Sequence, residues 1–169
     1  PEPQFEPGVW KDLKHDARQV ISYDGILKCY KQGNELLGNY NARMVSVHDP
    51  DEYLAAASGE IDLAKRKKDI QDAYRALNDL KLQGEVDSVG IGAKDWKTIR
   101  DIYRLVPLDW VMIANSMTIH SHPRDLLDFM EELAANNVLI INSAVFNGGF
   151  LTGSSFYNYR EVNRPQHVD

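Results

Sequence analysis

His48 is the residue of this 169-residue chain best placed for chemistry. It follows Met44-Val45-Ser46-Val47 directly, so it stands where an apolar strand stops and a pocket can begin. A neutral imidazole there can donate a hydrogen bond to a carbonyl while the protein holds its other nitrogen. The competing reading is a strand-end histidine bonded to its neighbour Asp49. Asp49-Pro50-Asp51-Glu52 adds three carboxylates, a set that suggests a metal site or an acid–base pair but is more simply a turn with a helix cap. His120-Ser121-His122 points two imidazoles one way only in a strand, and Pro123 argues against a strand there, so no metal is expected. Cys29 cannot form an internal disulfide or a cysteine-based zinc site as the lone cysteine, and it reads as packing in a helix stripe. Phe146-Asn147-Gly148-Gly149-Phe150-Leu151-Thr152-Gly153 places paired glycines after an apolar run. Backbone N–H groups there can approach an anion such as a pyrophosphate, or the segment is only a flexible exit from a strand.

These residues need elements to position them. Three prolines in residues 1–8 read as an extended lead-in, assigned to 1–21. Ser22 offers an N-cap for the stripe Ile26, Leu27, Tyr30, Leu36 and Leu37, closed by Gly38. A second helix is predicted from about Arg66, with Ile70, Ala73, Tyr74, Leu77 and Leu80 at 3-and-4 spacing and Gly84 as its stop. Asp95 caps a third, carrying Trp96, Ile99, Ile102 and Tyr103. The fourth starts near Pro123, buries Leu126, Leu127, Met130 and Leu133, and ends at Asn136-Asn137. Strands are predicted near 43–48, 87–92, 109–114 and 138–144, nearly continuous in apolar character as in a parallel sheet covered on both faces.

The alternation of strand and helix predicts an α/β fold of four consecutive βα units over 22–153, with a C-terminal tail over 154–169. Two architectures remain: half of an eight-fold (β/α)8 TIM-type barrel, or a small open doubly wound parallel sheet. Gly90-x-Gly92 lacks the third glycine of a dinucleotide fingerprint, so the open sheet lacks its usual phosphate loop. In either case the working groups collect at the carboxyl ends of the strands: His48-Asp49, Gly92-Ala93-Lys94, Asn115-Ser116-Met117, and Ser143 through Gly149. Barrel helices pack on one face only. The inner face then carries residues such as Val45, Val47, Val111, Ile113 or Ile140, or their neighbours, depending on register.

Composition narrows the classes. With 43% hydrophobic residues the chain holds a real core and is not disordered. A net charge of −6 argues against broad nucleic-acid or anionic-membrane binding. Apolar stretches such as Val138 to Ile141 are no more than strand-sized, and the first residues lack the pattern of a signal peptide. A reducing, cytoplasmic setting is the expectation.

Taken together, Val47-His48-Asp49-Pro50-Asp51, Ala76-Leu77-x-x-Leu80 to Gly84, Val89-Gly90-Ile91-Gly92 and Phe146 through Gly153 resemble the aldo/keto reductase family. The likeness is nearest to its sugar-oxidising branch, the L-fucose or D-threo-aldose dehydrogenases, and runs over roughly residues 22–159. The resemblance implies a βα barrel that uses NAD or NADP to interconvert a carbonyl and an alcohol, with a small carbonyl or sugar substrate. It implies His48 as the catalytic-site histidine at the end of the fourth barrel strand. Cofactor contacts are implied at Asn115, Ser143, Ala144, Phe146, Asn147 and Gly148, the loop from Phe146 cradling the pyrophosphate. The family's catalytic Tyr, Asp and Lys precede its fourth strand, and its adenosine-phosphate segment follows its seventh. Met117 stands where an aromatic is usual, and Gly92-Ala93 where many members have Ser-Asn. The expectation is therefore part of an oxidoreductase, inactive alone, that forms a homo-oligomer or joins the missing half-barrel. The alternative is a non-catalytic half-barrel or truncated product acting as an assembly module.

Overall fold

The computed structural model describes residues 18–158 and 160–162. Most of the expected lead-in, residues 1–17, lies outside the described residues, as does 163–169 of the expected tail. Four strands, β1 (Met44–His48), β2 (Ser88–Ala93), β3 (Trp110–Ala114) and β4 (Leu139–Ser143), form one parallel sheet in the order β1-β2-β3-β4. Each strand pairs with the next in sequence. Right-handed crossovers in such an order put every connecting helix on the same face, which is the half-barrel arrangement and not the doubly wound one.

The helices are α1 (Tyr23–Leu37), α2 (Pro50–Ala55), α3 (Glu60–Leu82), α4 (Trp96–Tyr103) and α5 (Arg124–Ala135). Ser22 caps α1 by accepting the Gly25 amide at 3.1 Å, and Gly38 ends it at φ +66°. Asp95 caps α4 by accepting the amides of Lys97 and Thr98. α3 begins six residues before the predicted Arg66. Its charged first turns show no apolar stripe, but Asp62 accepts the Ser58 amide and pairs with Arg66, which carries the helix back to Glu60. α2 starts where the sequence reads as a turn with a helix cap, with Asp49 at its N-cap position.

Register decides which side chains face which way. Val47, Val89, Ile91, Ala93, Val111 and Ile113 join one buried cluster with Ile70, Tyr74 and Leu77 of α3, Ile99 and Ile102 of α4, and Leu126, Phe129 and Leu133 of α5. Val45 and Ile140 pack against the same cluster. The valine and isoleucine row therefore faces the helices, and its neighbours form the other face. Paired across the sheet, these are Ser46, Gly90, Trp110 and Leu139 on one level, and His48, Gly92, Met112 and Ile141 on the next. Gly90 is required there. A β-carbon on it would lie 2.0 Å from a ring carbon of Trp110, whose indole covers the strand. Met44 and Leu139, at 52% and 57% exposure, leave this face partly open to solvent.

The amino end of the sheet is stitched by charge. Arg43 pairs with Asp87 and donates to the carbonyls of Gly84 and Glu85. Lys81 donates to both oxygens of Asp109 at 2.6 and 2.7 Å, and Asp109 also accepts the Val89 amide. Beyond β4, a 3-10 segment (Asn147–Thr152) carries a two-stranded antiparallel hairpin, β5 (Phe156–Tyr157) with β6 (Arg160–Glu161). The region predicted as a tail thus includes an ordered hairpin, held by an edge contact of Phe150 with Tyr157.

Candidate functional site

Because all four strands are parallel, their carboxyl ends share one rim, the place where βα folds keep their working groups. His48, Asn115, Ser143, Ala144 and the Phe146 loop all stand on it. His48 ends β1 at one edge of the sheet and Ser143 ends β4 at the other, a span of about 14 Å at the usual strand spacing. The intervening rim is formed by the ends of β2 and β3.

The His48 side chain is 93% exposed, with Nε2 3.6 Å from Asp49 Oδ2. That is longer than a hydrogen bond but within ion-pair reach, so His48 stands at the strand end beside its neighbour Asp49 without a hydrogen bond to it. Asp49 occupies the N-cap position of α2, with Pro50 as the first helical residue, but its side chain makes no cap bond. Its backbone is left-handed, at φ +40°. Lys94, at the end of β2, lies 3.6 Å from the same Asp49 oxygen and is hydrogen-bonded to Glu52. The bond to Glu52 holds the Lys94 ammonium above its ordinary pKa; burial opposes this, and Asp49, Glu52 and Asp51 add to the rise. Asp51 Oδ2 accepts the amides of Lys94 and Asp95 at 3.1 and 2.9 Å. The carboxylates after His48 therefore grip the adjoining β2–α4 loop. Among the described residues, no group of three or more His, Cys, Asp or Glu side chains is placed to hold a metal ion.

Strand exits on the far side turn through left-handed backbone. Asn115 has φ +59°, Ala144 +53° and Asn147 +52°, followed by Gly148 and Gly149 at +76° and +92°. The Asn115 amide donates to the Ser143 carbonyl at 3.2 Å, joining the ends of β3 and β4, while its side-chain Oδ1 is buried without a hydrogen-bond partner. The Ser143 hydroxyl is 3.4 Å from the Ile113 carbonyl. Ser116 Oγ lies within hydrogen-bond reach of the Lys94 and Ala114 carbonyls and so links the exits of β2 and β3.

The loop after β4 is compact. The amides of Asn147 and Gly149 close on the carbonyls of Ala144 and Phe146. Phe146 is half-exposed, whereas Asn147 is 1% exposed. Asn147 donates its side-chain amide to Asn158 Oδ1 at 3.0 Å and accepts the Asn158 backbone amide on its own carbonyl. Its side-chain NH2 braces the hairpin, and its Oδ1 is buried without a hydrogen-bond partner. Met117 is partly buried against the core, and its carbonyl accepts from Asn142. His122 Nδ1 is 3.3 Å from the Thr118 carbonyl, and His120 is exposed. Lys94 and Ser116 are legible in the sequence only as members of strand-end strings, and Asp51 only as one of the carboxylates after His48. Their cross-strand contacts depend on register, which local sequence does not carry.

A shallow groove of about 740 Å³ lies elsewhere, between α3 and the α4–β3 connection, lined by Arg75, Asn78, Leu82, Leu105 and Pro107 among others. It contains none of the rim groups. No described helix is long and apolar enough to cross a membrane.

The chain is similar to pyridoxal 4-dehydrogenase of Microbacterium luteolum, 24% identical over 151 residues that cover 83% of this chain and 42% of that protein. It is also similar to D-threo-aldose 1-dehydrogenase of a Pseudomonas species, 27% identical over 130 residues covering 77% of this chain and 36% of that protein. It spans about two fifths of the length of these curated relatives. The sequence model of the aldo/keto reductase family matches residues 9–169, running through every described strand, both edges of the rim and the hairpin. The chain belongs to the aldo/keto reductase family.

Proposed function

We propose that this chain forms the central strands of an NAD- or NADP-dependent oxidoreductase that interconverts a carbonyl and an alcohol on a small carbonyl compound or sugar. The observation that carries this is the rim itself, where an exposed histidine at the end of β1 shares one edge of a parallel sheet with a buried, unpartnered amide oxygen at Asn115. The relatives' names, a pyridoxal 4-dehydrogenase and an aldose 1-dehydrogenase, agree with a dehydrogenase acting on small polar substrates.

The residues present fit a nicotinamide cofactor. The orphaned Oδ1 of Asn115 needs an N–H donor, which a carboxamide provides. The left-handed turn at Ala144 and Gly148 brings backbone close to whatever lies on the rim. With the Asn147 and Gly149 amides already donated within the loop, an anionic pyrophosphate would be met by the Gly148 backbone. The Asn147 side chain holds the loop in shape through its bond to Asn158. When bound, the nicotinamide supplies or accepts hydride. His48 donates an imidazole N–H to the reacting oxygen, orienting it and stabilising the negative charge that develops there.

Catalysis requires further strands. The sheet's inner face exposes Met44 and Leu139, and β1 and β4 each pair on one side only among the described residues. Completion by the remainder of a barrel, or by a second copy of this chain, covers both. The same observation supports the second reading, in which the half-barrel is an assembly module without activity of its own. The deciding experiment follows reduced-nicotinamide absorbance with aldehydes and aldoses, comparing this chain with a polypeptide containing all eight strands. Turnover by the complete polypeptide, lowered about a hundredfold by His48→Gln, is the expected result. A complete polypeptide that binds neither NAD nor NADP overturns the oxidoreductase reading.

A further inference from the structure

We propose that Asp49 is a positioning residue for His48, and that Lys94, reaching across from the neighbouring strand, sets how closely that carboxylate holds the imidazole. The proposal rests on the reading of His48 as the group that donates to the reacting oxygen. An aspartate at a helix N-cap ordinarily sits in extended backbone and spends its carboxylate on the amides of the first turn. Asp49 does neither. Its backbone is left-handed at φ +40° and ψ +54°, and no amide of α2 bonds its side chain. Instead one oxygen, Oδ2, stands 3.6 Å from His48 Nε2 and 3.6 Å from Lys94 Nζ. The carboxylate is 21% exposed and the imidazole 93%, so Asp49 is the packed partner while the ring is open to solvent and to an incoming oxygen.

Lys94 is anchored at both ends. Its backbone amide is taken by Asp51 Oδ2, which also takes that of Asp95, and its ammonium is bonded to Glu52. Asp51 and Glu52 of α2 and Lys94 and Asp95 of the β2–α4 loop are thus the charged groups around the pair, and each is engaged as described. A carboxylate nearer Nε2 than Nδ1 favours the neutral tautomer with its proton on Nε2. At 3.6 Å the contact is too long to consume that N–H as a hydrogen bond, so it stays available to a carbonyl oxygen. Lys94 draws on the same oxygen and keeps Asp49 from closing onto the ring.

The test is ring-nitrogen NMR of His48 in the full chain, at a pH where the imidazole is neutral. Asp49→Asn keeps the shape and tolerates left-handed backbone. It should raise the ratio of Nδ1–H to Nε2–H about twofold, the size expected for one water-screened charge at these distances. Lys94→Met should move the ratio the opposite way, and should have no effect when added to Asp49→Asn. An unchanged ratio in Asp49→Asn overturns the proposal, as does a Lys94→Met effect that survives in the double variant. Turnover by the complete enzyme separates the two claims. Asp49→Asn should lower kcat several-fold without changing KM for the cofactor, and an unaltered kcat overturns the positioning role. Full activity in His48→Gln would instead remove the reading of His48 itself, whatever the tautomer ratio shows.

Discussion

A side chain that is 93% exposed and makes no hydrogen bond adds little to folding, so the two parts His48 could play separate cleanly. His48→Ala should change the unfolding free energy of the chain by no more than about 0.5 kcal/mol, measured by urea unfolding, while lowering turnover of the assembled enzyme. Gly90 is the opposite case. A methyl group there meets the Trp110 ring at 2.0 Å, on the sheet face away from the helices, and the indole has β-strand backbone beneath it. Gly90→Ala should cost about 1–3 kcal/mol in the same experiment, the usual penalty for overpacking. Both residues were visible in the sequence, but for different reasons. His48 is visible because an apolar strand that ends on a histidine is a local pattern. Gly90 stands in the sequence as a Gly-x-Gly pair without the third glycine of a dinucleotide fingerprint, and only the pairing of Gly90 with Trp110 shows it to be a packing glycine.

At the scale of elements, the stripes and caps that sequence carries well are those repeated along one element. α1, α4 and α5 and all four strands lie where periodicity and the capping residues Ser22 and Asp95 put them. The first turns of α3 were hidden because their side chains pair with each other and with α2 instead of facing the core, so the apolar period was absent. Asn147 was legible as a loop residue, and its partner Asn158 was not, since eleven residues of irregular chain separate them. Asn147→Ala should therefore speed hydrogen exchange at the Asn158 and Val162 amides of the hairpin while leaving exchange in the β2 and β3 amides unchanged. The charged stitches at the amino end add a pH dependence. Arg43 holds the Asp87 carboxyl below the usual carboxylate range. Burial pushes Asp109 up, but the Lys81 ammonium and the Val89 amide together bring it below that range. Depressed carboxylates stabilise the fold fully above the ordinary aspartate value near 3.9, and that share is lost as pH falls through the lowered native values. Asp109→Asn should accordingly be less stable than the parent near neutrality and lose less of its stability between pH 5 and about 2, followed by thermal midpoints.

For the whole molecule, the same sheet that gathers the rim leaves its opposite face partly bare. Met44, Leu139 and the strand edges form a surface that water covers poorly. Sedimentation of the isolated chain should show self-association that disappears when the remaining strands of a barrel are supplied, and a stable monomer that binds no hydrophobic dye would contradict this. Strand order has a further consequence, in time instead of space. Since β1, β2, β3 and β4 lie side by side in the order in which the ribosome makes them, each new βα unit finds its docking surface already emerged. No strand has to wait for a later one to be inserted between it and its neighbour. Along these four strands the sheet can therefore grow in the order of synthesis, β4 pairing after β3, and the Phe146 loop takes shape only after that pairing is formed.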